Sequence, residues 1–279
     1  MNMNHIRFGN GKPLLLIHGL GGSWRSWSPV LSGLAEQREV IAIDLPGSGK
    51  TAPLKGEVSI ATLADSVTAF VHDNNLIGID AVGSSMGARL VLELVRRGSV
   101  LGSVVSLDPG GFWQGYQTHL FYNSIAFSIR LVRLIKSIGL LHRFTQNAIT
   151  RSLLFAQFSA HPWKLHPRVA FDELNSFADS PSFDKLLHNL AYGEKQQGCA
   201  AGTIHQPVVI GWGKQDRVCF PSQAKKAMEL FPDATLHWFD KCGHFPQWDQ
   251  PQQTIDLILR TTNSIWKEVQ YASGKTPTV

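Results

Sequence analysis

The sequence has few cysteines and no obvious metal-binding pattern. Its three cysteines, Cys199, Cys219 and Cys242, are an odd number, and no two of them have C-x-x-C spacing. This argues against a disulfide framework and against a zinc site. Cys242 and His244 have the spacing of a metal pair, but no second pair at ligand spacing accompanies them. We therefore expect no metal ion.

Long apolar segments are also missing. No apolar run approaches the roughly 18 residues that a membrane span needs, and residues 1–7 lack the apolar core of a signal peptide. With 43% hydrophobic and 17% charged residues among 279, the composition is that of a soluble globular protein. We expect a cytoplasmic protein with no stable membrane insertion, a small-molecule substrate and, since no nucleic-acid motif is present, no nucleic-acid partner. The oligomeric state is left open.

Two nucleotide-binding patterns are incomplete. The run Gly47–Thr51 resembles the end of a P-loop, but that motif requires glycine five residues before Gly49, where Asp44 stands. The run Gly19–Trp24 has tryptophan where G-x-G-x-x-G requires glycine. We therefore expect no nucleotide cofactor.

The formal net charge of +5 is concentrated in the middle of the chain. The positive side chains there are Arg130, Arg133, Lys136, Arg143 and Arg151. We interpret them as a solvated helix face in preference to a surface for acidic partners or membranes.

Short apolar runs alternate with helical patterns over most of the chain. Strands are predicted at Leu14–Ile17, Val40–Ile43, Ile79–Val82, Gly102–Leu107, Pro207–Gly211 and Thr235–Phe239. Helices are predicted at Trp27–Glu36, Ile60–His72, Ala88–Val95, Ser222–Leu230 and 251 to about 269. This alternation predicts an α/β fold with a mostly parallel central sheet flanked by helices, and function at the carboxyl ends of the strands.

Residues 112–201 interrupt this alternation. They are helical, aromatic and basic in pattern, with amphipathic spacing at Ile125–Ile138 and Phe144–Phe155. We predict a helical cap inserted at 112–201 into a core formed by 1–111 and 202–271, followed by a disordered tail at 272–279.

A G-x-S-x-G pattern, Gly83–Gly87, lies between a predicted strand and a predicted helix. Such a strand–turn–helix setting is what a nucleophile elbow requires, because a strained turn exposes the serine hydroxyl and excludes bulky side chains two residues away on either side. The pattern by itself is weak, and its setting makes Ser85 the candidate nucleophile.

A serine hydroxyl needs a base, and the base needs an acid to orient it. His244 follows a predicted strand and is the candidate base. Two aspartates follow strands at suitable places, Asp216 and Asp108. Asp216 fits the chain order Ser, Asp, His and is preferred; Asp108 remains the alternative.

Two backbone amides are candidates for an oxyanion hole. One belongs to Met86, immediately after Ser85, and the other to Leu20 in the glycine-rich loop that follows the first predicted strand. We expect the side chain of His18 to brace that loop and to take no part in catalysis.

Taken together, these motifs resemble the α/β-hydrolase superfamily, in its serine branch with a helical cap. The matching segments are His18–Gly22, Asp44–Gly49, Gly83–Gly87, Gly213–Asp216 and Gly243–Pro246. The resemblance implies a triad of Ser85, Asp216 and His244, oxyanion amides at Leu20 and Met86, and no cofactor. Serine at the elbow argues against the dehalogenase and epoxide-hydrolase branches, which carry aspartate there. The sequence departs from many relatives at Ala88, where they have a further glycine.

The expected reaction is hydrolysis of a carboxylic ester of a small to medium apolar substrate, through an acyl-enzyme. The aromatic cap, including Trp113, predicts an apolar pocket. Trp27 and Arg89 resemble positions of a menaquinone-pathway synthase of this superfamily, so a lyase or carbon–carbon hydrolase using the same triad is an alternative, with both as substrate contacts. A non-catalytic ligand-binding protein of the same fold is a second alternative.

Overall fold

A seven-stranded sheet forms the centre of the protein. The structure is a computed structural model and describes residues 3–98 and 100–263. The strands are β1 (His5–Phe8), β2 (Lys12–Ile17), β3 (Arg38–Ile43), β4 (Ile79–Ser84), β5 (Leu101–Leu107), β6 (Val208–Gly213) and β7 (Thr235–Phe239). Their order across the sheet is β1-β3-β2-β4-β5-β6-β7.

Strands β2 to β7 pair in parallel, which confirms the predicted mostly parallel sheet. The sequence did not predict β1, which pairs antiparallel with β3 from His5 opposite Ile43 to Phe8 opposite Val40. This strand lies at the sheet edge and is half buried to exposed. Its short sequence therefore carries no apolar run, and backbone pairing alone defines it.

Helices cover both faces of the sheet. They are α1 (Ser28–Ala35), α2 (Ile60–Asp73), α3 (Met86–Arg97), α9 (Ala224–Leu230), α10 (Pro246–Asp249) and α11 (Pro251–Thr262). Alternate residues of β2 show why two layers form: Leu14 and Leu16 pack with α1 and α11, while Leu15 and Ile17 pack with α2 and α3. Side chains alternate between the faces of a strand, so a strand buried on both faces has a continuous apolar run.

A helical insertion lies between β5 and β6. Its helices are α4 (Tyr116–Ser137), α5 (Leu141–Gln146), α6 (Ala148–Phe155), α7 (Pro167–Asp179) and α8 (Phe183–Tyr192). The predicted helical segment at 144–155 was wrong in detail, because it is divided into two helices: α5 ends at Gln146 and α6 begins at Ala148. The side chain of Asn147 accepts hydrogen bonds from the amides of Ile149 and Thr150 and so caps α6 as a separate helix. We keep the name cap for this insertion.

Part of the predicted chain end lies outside the described residues. The closing helix is observed as α11, while the rest of that prediction and the tail predicted at 272–279 fall beyond residue 263. Among the helices at 3–98 and 100–263, none combines the length and the apolar character needed to cross a membrane.

Candidate active site

Ser85 lies on a sharp turn between β4 and α3. Its backbone has φ 57° and ψ −113°, in the region that side-chain-bearing residues rarely adopt. The flanking glycines are required by close contact, because a Cβ atom at Gly83 would lie 2.1 Å from the carbonyl oxygen of Gly87. A Cβ atom at Gly87 would lie 2.2 Å from the carbonyl oxygen of Ile17. The predicted turn is therefore present, and Ser85 stands at the start of a helix at the carboxyl edge of the sheet.

The structure brings Ser85, His244 and Asp216 together from three distant parts of the chain. The Ser85 Oγ lies 2.8 Å from the Nε2 of His244, and the His244 Nδ1 lies 2.8 Å from the Oδ2 of Asp216. Both His244 and Asp216 are buried. With the proton on Nδ1, the imidazole donates to the carboxylate and its Nε2 accepts from the serine hydroxyl.

Two backbone amides hold the carboxylate of Asp216 in place. The amides of Val218 and Cys219 donate to its Oδ1 at 2.7 and 3.0 Å. This leaves Oδ2 for the imidazole. The carboxylate therefore has one oxygen fixed by the loop and the other directed at His244.

Asp108, the alternative acid, contacts Asp216 and the backbone rather than the histidine. Its Oδ1 accepts from the amide of Gly213 at 2.8 Å, and its Oδ2 has no donor among the described residues. Burial, followed by the neighbouring carboxylate of Asp216, raises the pKa of Asp108 well above its ordinary value. The raised pKa favours the protonated form of Asp108, which can donate a hydrogen bond to Asp216.

The loop that carries His244 is held by the cap and by Asp249, which the sequence analysis missed. The His244 amide donates to the carbonyl of Phe158 at 2.8 Å. The carboxylate of Asp249 accepts from the amides of Gly243 and Ala160, each at 2.7 Å. Asp249 thus joins the histidine loop to the cap, a role for which its sequence context, at the end of the four-residue helix α10, gives no signal.

The loop after β2 lies directly against Ser85. A Cβ atom at Gly19 would lie 3.1 Å from the Cβ of Ser85, and both Leu20 and Met86 line the same cavity as Ser85. The prediction that His18 braces this loop is confirmed: its Nδ1 donates to the Gly19 carbonyl at 2.7 Å, and its Nε2 accepts from the Leu45 amide at 3.0 Å. Burial lowers the pKa of His18, which keeps it neutral.

Helix α7 of the cap also supports this loop. Glu173 is buried and accepts hydrogen bonds from the hydroxyl of Ser26 at 2.8 and 3.0 Å. One turn further, the hydroxyl of Ser176 donates to the carbonyl of Gly21 at 2.9 Å. Burial raises the pKa of Glu173 to about 8, so the contact between cap and loop is made by a neutral carboxyl group at pH 7.

We expect Glu173→Gln to stabilise the protein at high pH. The folded protein keeps a proton on Glu173 that the unfolded chain loses above its ordinary pKa, so wild-type stability falls as pH rises between about 4.5 and about 8. Glutamine cannot ionise, so the free energy of unfolding of the variant does not fall in this way. Relative to wild type, that free energy increases over the same pH range, by on the order of 2–5 kcal/mol at pH 9. Thermal unfolding at pH 5 and pH 9 measures it.

The matched control for this prediction is Glu36→Gln, at an exposed glutamate outside the cap. It should leave the difference between the two pH values unchanged. A Glu173→Gln variant with the same pH dependence as wild type would mean that Glu173 is already ionised in the folded protein.

An apolar cavity of about 140 Å³ opens beside Ser85 and His244. Apart from His244, the described side chains that line it include no titratable group. Most of them come from α4, α6, α7 and α8 of the cap. Trp113, which was predicted as a substrate contact, is one of the side chains that line the cavity. Its ring stacks on Phe121 with 3.9 Å between ring centroids, and its Nε1 donates to the Val218 carbonyl.

The structure does not bring Trp27 and Arg89 into this cavity. Trp27 is fully buried on the opposite side of the sheet, with α1 and α11. Arg89 lies one turn after Ser85, but its guanidinium packs under Gly111 and donates to the carbonyl of Glu194. Their predicted contact with substrate gains no support from this geometry.

The side chains of Asp216, Cys219 and His244 are close enough to hold a metal ion, with ligand atoms within 4.8 Å of one another. Their chemistry does not fit that use. Burial raises the pKa of the Cys219 thiol well above its ordinary value, whereas a metal ligand must be a thiolate. A metal there would also replace the hydrogen bond between His244 and Asp216. We assign no metal to this cluster.

Most of the chain matches a known protein family. Residues 12–251 match the family described as alpha/beta hydrolase fold. The chain belongs to the alpha/beta hydrolase family. This hydrolase is 27% identical to the 2-hydroxy-6-oxo-2,4-heptadienoate hydrolase of Pseudomonas putida over 266 aligned residues. The aligned region covers 90% of this chain and 88% of that protein.

Solved structures of the same fold include enzymes that act on different bonds. A thermophilic esterase from Thermogutta terrifontis superposes with a TM-score of 0.70 at 17% identity, covering 96% of this hydrolase and 93% of the esterase. A meta-cleavage product hydrolase from Pseudomonas fluorescens IP01 superposes with a TM-score of 0.71 at 19% identity. The superposition covers 96% of this chain and 94% of that enzyme. At these identities the likeness shows the fold, and the bond cleaved must be argued from the site.

Proposed function

We propose that this hydrolase cleaves carboxylic esters of small to medium apolar substrates through an acyl-enzyme, with Ser85, His244 and Asp216 as its catalytic triad. The observation that carries the proposal is the Ser85 Oγ, 2.8 Å from a buried imidazole and open to an apolar cavity. A serine hydroxyl becomes a nucleophile when a base lies within this distance and a carbonyl carbon can reach it.

The proposed reaction has two steps. His244 takes the proton of Ser85 as the hydroxyl attacks the carbonyl carbon, and Asp216 stabilises the resulting imidazolium. The amides of Leu20 and Met86 bind the oxyanion, each donor contributing roughly 3 kcal/mol to the transition state. His244 then protonates the leaving alcohol, and a water molecule hydrolyses the acyl-enzyme by the same route. No cofactor takes part.

The cavity indicates the substrate class. Its volume of about 140 Å³ is close to that of an apolar cavity that binds one benzene molecule, about 150 Å³. We infer an acyl group of about four to eight carbons or a phenyl group. Trp113 is the sequence-predicted substrate contact that this proposal retains.

Carbon–carbon bond hydrolysis is the second candidate, favoured by the similarity to the Pseudomonas putida enzyme. The substrate in that enzyme's name is a carboxylate. Burying a carboxylate without a cation is costly, and no lysine or arginine is among the described residues that line this cavity. The cavity therefore favours a neutral ester over an anionic dienoate.

A series of p-nitrophenyl esters from acetate to decanoate, run beside a fluorophosphonate probe, tests the proposal. We expect kcat/KM to peak at about four to eight acyl carbons. The first turnover should release a burst of nitrophenol, and peptide mass spectrometry should find the probe attached to Ser85. A protein that leaves the probe and every ester unreacted but consumes a carboxylate dienone would be a carbon–carbon hydrolase. A protein that binds ligands but shows neither a burst nor steady turnover with any of these substrates would be a binding protein.

A further inference from the structure

The cap exposes an apolar surface around the mouth of the cavity. Phe127, Leu131 and Leu153 line the cavity and are also exposed to solvent. One turn away on the same outward faces of α4 and α6, Leu134 and Ile149 are exposed as well. We call these five side chains the cap rim.

Helix α4 is apolar on two faces. Ile125, Ile129 and Val132 are buried against the rest of the cap, whereas Phe127 and Leu131 lie four residues apart on the outward face. A surface helix ordinarily has one apolar stripe and a polar opposite face. Apolar patches that remain exposed on a monomer commonly mark an interaction surface. The outward face of α4 is therefore a surface that a partner would cover.

The charge around the cap rim is mainly positive, although Asp184 and Asp179 of the cap pair with Arg133 and Lys136 of α4. The sequence has no acidic residue between Asp108 and Asp172, and seven lysines and arginines lie in that interval. Three of them, Arg130, Arg143 and Lys164, are exposed and form no ion pair within the described residues. An apolar face bordered by unpaired cations is complementary to an interface that is apolar inside and anionic outside.

The neighbouring Trp163 fits the same partner. It is exposed beside Lys164, and its carbonyl accepts from the guanidinium of Arg151, which joins this segment to α6. Tryptophan has an apolar ring and one polar N–H group, and it is enriched where hydrocarbon meets water.

We propose that the cap rim docks reversibly on the surface of an anionic phospholipid assembly, with the cavity mouth facing the lipid. An apolar substrate dissolved in the lipid would then enter the cavity without crossing water. A second copy of the chain is the less favourable occupant, because pairing two cap rims would bring Arg130 and Arg143 against cations of the same sign. The proposal concerns peripheral binding, since α4 carries cations along its length.

The test uses the full chain carrying Ser85→Ala, so that docking is measured without turnover and independently of the proposed reaction. Binding is measured by cosedimentation with vesicles of phosphatidylcholine alone or with 30% phosphatidylglycerol, about three lipids in ten being anionic. We expect binding to the anionic vesicles that is at least tenfold tighter than to the neutral ones and is lost at about 0.5 M salt.

The decisive variant is Leu134→Ser with Ile149→Ser, because these side chains do not line the cavity. They are 59% and 73% exposed, so their replacement removes little from the folded core. We expect vesicle binding to fall by tenfold or more. The matched control is Phe8→Ser with Ile77→Ser. These two side chains are 53% and 63% exposed and lie near the amino ends of the parallel strands, away from the cap. This variant should bind vesicles as tightly as the Ser85→Ala protein that carries no further substitution.

Three results would overturn the proposal. The first is equal binding to neutral and anionic vesicles, or to neither. The second is equal loss in the rim variant and the control. The third is a dimer in sedimentation velocity that the rim variant alone abolishes while vesicle binding is absent, which would assign the surface to a second copy. If the Ser85→Ala protein binds vesicles as expected but the wild-type protein hydrolyses no ester, the docking proposal stands and only the proposed reaction is wrong.

Discussion

Ser85→Ala is expected to lower kcat for a soluble p-nitrophenyl ester by about 10⁴- to 10⁶-fold. The variant loses the only hydroxyl that His244 contacts among the described residues, so the acyl-enzyme cannot form. The fold should persist, because Oγ removal leaves the turn and its glycines unchanged. Steady-state kinetics and thermal unfolding measure the two effects separately.

The matched control is Ser84→Ala, one residue earlier, at the end of β4. Its hydroxyl accepts from the side-chain amide of Gln247 at 3.1 Å and makes no contact with His244. We expect activity within about threefold of wild type, since removing such a hydrogen bond costs only about 1 kcal/mol of stability. If Ser85→Ala retained more than a tenth of the activity, Ser85 would not be the nucleophile.

Asp216→Asn is expected to lower kcat by about 10⁴-fold. The amides of Val218 and Cys219 donate to Oδ1, so the asparagine oxygen would occupy that position and its NH₂ group would face His244. An NH₂ donor requires an unprotonated Nδ1, which moves the imidazole proton to Nε2. The imidazole could then no longer accept the proton of Ser85. The loss should appear in kcat for the ester that wild type cleaves fastest.

Asp108→Asn separates this effect from a general loss of negative charge. The raised pKa of Asp108 favours its protonated form in the folded protein, and its Oδ1 accepts from the Gly213 amide. Asparagine can accept from the same amide and donate to Asp216 in place of the acid proton. We expect activity within about tenfold of wild type. A loss as large as that of Asp216→Asn would show that Asp108 carries the charge that orients His244.

The sequence was sufficient to predict the parallel core. Strands buried on both faces, such as β2 and β3, contain continuous apolar runs, and this pattern depends only on local sequence. The turn at Ser85 was predictable for the same reason, because glycine at positions 83 and 87 meets a local steric requirement. The edge strand β1 and the break at Asn147 were missed, since backbone pairing and a single side-chain cap leave little periodic signal.

The choice between the two acids depended on tertiary structure. Asp216 and Asp108 both follow strands and were both candidates; only the folded loops show that two amides direct Asp216 at His244, while Asp108 is turned to Gly213. Likewise, Glu173 and Asp249 acquire their roles through contacts made across the boundary between cap and core. Neither residue stands in a recognisable motif.

The sequence by itself determined the α/β fold and the three side chains proposed for catalysis, because strand periodicity and steric limits at a tight turn are local properties. Tertiary structure alone decided how the cap relates to them: which helix faces line the cavity, which remain exposed as the cap rim, and why Arg89 points elsewhere. These depend on how helices from distant segments pack, and amphipathic spacing indicates that a face is apolar without indicating what covers it.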